Sequence, residues 1–131
     1  MGVRYLGIDF GSKRIGLALS NEENVFAIPY KVIQNDKNSL KDLQKIIETN
    51  NVSDMVIGES KNYSGAENAI MKKAKLFAEK IEKTSSVKIH WEPEFLTSVE
   101  AERIQGASKM LDASAAAIIL RSFLEKQHGS R

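Results

Sequence analysis

Apolar and polar residues follow one another in three short runs at the start of the chain and then change to a helical period. Val3 to Phe10 is rich in branched and aromatic residues and predicts a strand closed by Gly11 and Ser12. Arg14 to Leu19 is short, apolar and bounded by turn residues, a second strand. Beyond a polar turn, Asn21 to Asn24, the run Val25 to Gln34 supplies a third. The short connections predict an antiparallel meander. Leu40, Leu43, Ile46 and Ile47 then share one helical face, with Asn38 or Ser39 as the cap. Val52 to Gly58 is a fourth strand. A polar stretch, Glu59 to Gly65, leads into a second helix with Ile70, Ala74, Phe77, Ala78 and Ile81 on one side. Val87 to Trp91 is a fifth strand, and Thr97 and Ser98 can cap a short helix through about Gln105. A last helix runs from about Leu111 to Glu125.

The order βββαβαβαα predicts an α/β fold, a mixed five-stranded sheet flanked by helices. Strands reached through a helix run parallel to a neighbour by right-handed crossovers. Sites in such sheets form beyond the carboxyl ends of the parallel strands. Asp9 ends the first strand, Glu59 follows the fourth, and Glu92 and Glu94 follow the fifth. If those three strands are adjacent, their acids converge.

Asp9 stands in Leu6-Gly-Ile-Asp-Phe-Gly11, among apolar residues and glycine. A carboxylate buried there needs a partner, a proton or a cation. The plainer alternative is a turn aspartate capping the Gly11–Ser12 corner. Asp112 shares a helical face with Ala116, Ile119 and Phe123, so that face is the buried one. Ala115 and Ala116 let the helix approach the sheet closely. For Asp112 the alternative is stabilisation of the helix dipole, worth about 0.3–1 kcal/mol. The company of Asp9 favours function. Either Glu94 or Glu59 could supply a third carboxylate, Glu92 less readily. Clustered carboxylates repel unless a cation neutralises them. Hard oxygen ligands select Mg²⁺ or Mn²⁺ over zinc. Two such ions about 3.5–4 Å apart can activate water and stabilise the leaving oxygen in phosphodiester hydrolysis.

Composition narrows the classes without choosing among them. The 131 residues suit one domain spanning 1–131, and 42% hydrophobic residues suffice for a core. The chain has no cysteine, which removes disulfides, thiolate zinc sites and cysteine nucleophiles, and fits a reducing cytosol. Asp9 interrupts the first apolar stretch too early for a signal peptide, and no run is long enough to span a bilayer. A soluble cytoplasmic protein is expected. A net charge of +2 permits a nucleic-acid partner without demanding one. Ser12, Lys13 and Arg14 follow Asp9 closely enough to hold a phosphate. Lys72, Lys73, Lys75 and Lys80 decorate the second helix, ordinarily just a solvated face. His90, in or beside the last strand, and His128, in a polar tail, have no acid nearby at ligand spacing.

Four stretches together resemble the YqgF/RuvX family, described both as Holliday junction resolvases and as pre-16S rRNA processing nucleases. They are Tyr5-Leu-Gly-Ile-Asp-Phe-Gly-Ser-Lys-Arg-Ile-Gly-Leu-Ala-Leu-Ser20, Val56-Ile-Gly58, Glu94-Phe-Leu-Thr-Ser-Val-Glu-Ala101 and Asp112-Ala-Ser-Ala-Ala-Ala-Ile-Ile-Leu120, in the family's order. The resemblance implies a ribonuclease-H-like fold and carries catalytic, metal-binding roles onto Asp9, Glu94 and Asp112. It implies a Mg²⁺- or Mn²⁺-dependent endonuclease acting on structured RNA or branched DNA, as a monomer or homodimer. Pre-16S rRNA maturation is preferred to junction resolution. Two places depart from the family: in the third block Pro93-Glu94-Phe95 replaces the usual Asp-Glu-Arg, and after the fourth strand Gly58-Glu59-Ser60 replaces Gly-Leu-Pro. Related resolvases place an essential glutamate at the end of the fourth strand, so Glu59 shares candidacy with Glu94.

Two readings from other classes compete. The altered block suits a catalytically inactive nucleic-acid-binding protein of the same fold. Gly7-Ile-Asp-Phe-Gly-Ser12 is also similar to the first phosphate loop of the actin, Hsp70 and sugar-kinase superfamily. Those proteins enclose a nucleotide between two such domains, and this chain has room for one.

Overall fold

The computed structural model describes residues 3–60, 65–94 and 111–129. Strands β1 (Arg4–Phe10), β2 (Arg14–Ser20) and β3 (Ala27–Gln34) form the meander. Helix α1 (Ser39–Thr49), strand β4 (Val52–Ser60), helix α2 (Gly65–Thr84), strand β5 (Lys88–Glu94) and helix α3 (Leu111–Gly129) follow. The sheet order is β3-β2-β1-β4-β5, with β1, β4 and β5 parallel neighbours. The mixed five-stranded α/β sheet is therefore as the period pattern predicts. The short helix expected from Thr97 or Ser98 lies outside the described residues. Among the described residues no helix is long and apolar enough to cross a membrane.

Several boundaries differ from the sequence pattern: β4 runs on to Ser60 and β5 to Glu94, so Glu59, Glu92 and Glu94 stand within their strands rather than beyond them. β3 begins at Ala27 because the Asn21 side chain accepts the N–H groups of Val25 and Phe26, holding both in the turn. At the start of α1, Asn38 occupies the cap position, but its side chain makes no capping bond. Asp36 does that work: its carboxylate accepts the Asn38 N–H at 2.9 Å, and its carbonyl accepts the Ser39 hydroxyl at 2.7 Å. Helix α3 continues to Gly129, so position 128 lies in a helix rather than a tail. Its last turns are rich in good helix formers.

Strands β1, β2 and β4 are packed on both faces, whereas the edge strand β3 is largely exposed. Leu6, Ile8, Ile15, Leu17, Met55 and Ile57 pack with Leu43, Ile47 and Ile81 under α1 and α2. On the other face Ala18 and Val56 pack with Ala116, Ile119, Leu120 and Leu124 of α3. The strand pleat assigns the faces: residues in step with Ile8 meet α1 and α2, and residues in step with Gly7 meet α3. Gly7 is the contact point. A Cβ there would lie 2.7 Å from the Leu120 Cβ and 2.8 Å from the Ala116 carbonyl oxygen. Backbone cannot yield as a flexible side chain does, so the helix seats only on glycine. Gly7→Ala is expected to lower the unfolding free energy by about 1–3 kcal/mol, as overpacked cores do. Urea denaturation checks this, and a variant as stable as the parent would contradict the close seat.

Candidate active site at the carboxyl end of the sheet

Helix α3 runs antiparallel to β1. Gly7 touches Ala116 and Leu120, while Tyr5, two residues earlier, has its ring 5.9 Å from that of Phe123. Two residues the other way along β1, about 6–7 Å, is Asp9. One turn up the helix from Ala116, about 6 Å, is position 112. The backbone therefore brings residues 9 and 112 to the same level at the same end of the sheet. Asp9 itself is half-buried. The side chain of Asp112, like that of Glu94, lies outside the described residues.

The candidate acids divide by face. Ile8 pairs with Ile57 and Gly7 with Val56, so Asp9 is in step with Gly58. Glu59, in step with Met55 and Ile57, falls on the α1/α2 face, away from Asp9. On β5, Ile89 and Trp91 belong to the α1/α2 side, whereas Glu92 meets α3. Position 94, paired in register with Ser60, falls in step with Glu92 on the face shared by Asp9. All the candidates reach the carboxyl end; they do not all reach one face.

Glu92 is spoken for. It is only 3% exposed, and Oε2 accepts the Ser122 hydroxyl at 2.8 Å and the Lys126 ammonium at 2.7 Å. Those bonds tie the end of β5 to the second half of α3. His90 also has a partner, at a separation in sequence that spacing rules do not search. Its Nε2 lies 2.7 Å from Asp54 Oδ2, with its ring stacked on Tyr5 and 4.8 Å from Phe123. Burial, reinforced by the negative Asp54, holds the Tyr5 hydroxyl above its ordinary pKa of 10.0. Among the described residues no three of His, Asp and Glu form a ready metal cluster.

The turn beyond Asp9 is braced by a residue that sequence reading missed. The Gly11 N–H donates to the Arg14 carbonyl at 3.0 Å, and a Cβ on Gly11 would lie 2.7 Å from that oxygen. Asn35 then clamps the turn from β3: its N–H donates to the Lys13 carbonyl at 2.9 Å and its Nδ2 to the Gly11 carbonyl at 2.7 Å. Ser12, Lys13 and Arg14 are exposed on this turn, next to Asp9. The only sequence signal for Asn35 was its place after Gln34, opposite Lys13 in an antiparallel pair.

The family model described as RuvX, Holliday junction resolvase, matches residues 3–126. The chain belongs to the RuvX family. A relative from Maridesulfovibrio salexigens, named as a candidate pre-16S rRNA nuclease, is 35% identical over 95% of this chain and 99% of its own length. One from Koribacter versatilis, named likewise, is 34% identical over 95% and 88%. Among solved structures, Thermus thermophilus RuvC in complex with Holliday junction substrate superposes with a TM-score of 0.65 at 13% identity, covering 98% of each chain. Fowlpox virus resolvase with Holliday junction DNA gives 0.61 at 11% identity, over 96% and 99%. At such identities the likeness is one of fold, and this RuvX-family chain has the ribonuclease-H-like fold that the motifs implied.

Asn35→Ala is expected to cost about 1 kcal/mol of stability, the worth of one hydrogen bond to a turn carbonyl. Thermal unfolding checks it. A variant of unchanged stability would show that the turn does not depend on that side chain.

Proposed function

We propose that this chain is a metal-dependent endonuclease that hydrolyses phosphodiester bonds in structured nucleic acid, with pre-16S rRNA 5′-end maturation preferred to junction resolution. The observation that carries this is the seat of α3 on Gly7, which levels the backbones of residues 9 and 112 at the sheet's carboxyl end. Family membership supports a nuclease, and the names of the relatives support the rRNA substrate. We place its action in the cytoplasm, where a chain without cysteine loses nothing to reducing conditions.

Asp9, Asp112 and Glu94 would hold the divalent ion. The donor set fits: these residues offer carboxylate oxygen, which suits Mg²⁺ or Mn²⁺. Bound there, the ion would supply Lewis-acid stabilisation of charge on the phosphate and activation of water. Glu94 is preferred to Glu59 because the pleat puts position 94 on the face of Asp9 and Glu59 on the other. Ser12, Lys13 and Arg14 would seat the phosphate backbone beside the scissile bond, on a turn that Asn35 keeps fixed. Glu92, engaged by Ser122 and Lys126, positions β5 against α3 and is not assigned to the ion.

The departure Pro93-Glu94-Phe95 favours a second reading, binding without cleavage. Purified protein incubated with rRNA precursor and with four-way junctions, in Mg²⁺ or Mn²⁺, separates the two. Cleavage by the parent is expected to fall about a hundredfold or more in Asp9→Asn, equivalent to roughly 2.7 kcal/mol of transition-state stabilisation. Glu94→Gln should approach that loss and Glu59→Gln should not. Cleavage indifferent to Asp9→Asn would overturn the mechanism, and a parent that binds but never cuts would establish the second reading.

A further inference from the structure

The β1–β2 turn opens on its far side into a groove of about 400 Å³ between the start of α1 and the middle of α2. Phe10 and Ser12 form its end nearest Asp9, and Lys37, Lys73 and Lys80 line its sides. All three lysines are exposed, and none is ion-paired with an acid among the described residues. Lys75, on the same helix, differs: its ammonium lies 6.0 Å from the centre of the Trp91 ring. Among the described residues lining the groove Asp36 is the one acid, and its carboxylate already accepts the Asn38 N–H. The groove therefore holds three cationic groups, one from the turn before α1 and two from α2, with an anionic charge already turned to capping.

Its floor is apolar. Leu76 is 57% exposed within it, and Phe77 is half-buried, its ring 5.4 Å from that of Phe10. Lysines beside an exposed leucine and a half-buried aromatic pair suit a polyanion whose bases are unstacked, since phosphates meet the ammonium groups while a base covers the apolar surface. A duplex would keep its bases paired and leave Leu76 and Phe77 in water. Continuity with Asp9 through Phe10 and Ser12 says where such a strand comes from.

We infer that the groove between α1 and α2 is a binding subsite for a single-stranded stretch of nucleic acid flanking the scissile phosphate. The strand passes from the carboxylate end of the sheet over Ser12 and lies between the helices, its phosphates on Lys37, Lys73 and Lys80 and a base against Leu76 and Phe77. This assignment rests on the nuclease reading for the strand's direction. The binding it requires is measured without cleavage.

The test is fluorescence anisotropy on the full chain carrying Asp9→Asn, with a labelled oligouridylate of about 15 nucleotides. Lys37→Ala/Lys73→Ala/Lys80→Ala is expected to lower the slope of log K against log salt by about 2, since each single-strand phosphate contact contributes about 0.7. The charge-matched triple Lys45→Ala/Lys83→Ala/Lys88→Ala, exposed residues outside the groove, should leave the slope nearly unchanged. Leu76→Asp should weaken oligouridylate binding severalfold and a duplex of equal length much less. Equal losses in the two triples, or an unchanged slope in the first, would overturn the subsite. Tighter binding of duplex than of single strand would overturn its occupant. A parent chain that fails to cleave would sink the nuclease reading and leave these slopes to decide the groove by themselves.

Discussion

Strand β1 and helix α3 meet where neither has a side chain to spare. Gly7 contributes none, Ala116 presents its carbonyl, and Leu120 closes over the contact from the next turn. Much of the molecule's functional geometry depends on that seat. It sets the height of α3 on the sheet, and with it the level of position 112 against Asp9. It also brings Tyr5 against Phe123, and it leaves Ser122 and Lys126 over β5, where they engage the buried carboxylate of Glu92. A close backbone approach is unforgiving because protein interiors pack at crystal-like density and cannot absorb an added methyl without displacement.

The two faces of the sheet divide the work. On the α3 face lie Asp9, the Glu92 anchor and the Tyr5–Asp54–His90 group, of which Glu92 is buried and the others are partly exposed. On the other face an extensive aliphatic core holds α1 and α2, and above it the lysine-lined groove opens at the same end. The β1–β2 turn is the bridge between them. Asn35 fixes that turn from the end of β3, so the residues that follow Asp9 are held in place.

Much of this could be read from the chain, because period and burial speak directly to local structure. The apolar, branched runs of β1 and β2 and the helical faces of α1 and α2 predict elements that form within a few residues of the expected limits. Asp9 stood out because a carboxylate in an apolar strand needs an explanation that a loop glutamate does not. What escaped were contacts between residues remote in sequence. Asp54 is 36 residues from His90, and Glu92 is 34 from Lys126. The faces of Glu59 and Glu94 could not be told apart until the register of β4 and β5 was known, since one residue of slip exchanges the two sides of a strand. Lys73 and Lys80 looked like an ordinary solvated stripe; only the packing of α2 beside α1 sets them opposite Lys37.

A crystal soaked in Mn²⁺ and measured for anomalous scattering tests the central claim most directly. The account predicts a manganese peak within coordination distance, about 2–2.3 Å, of carboxylate oxygens from Asp9 and Asp112, with Glu94 as the third side chain. A fully soaked crystal with no peak between β1 and α3, or with one held by Glu59 and remote from residue 112, would contradict it.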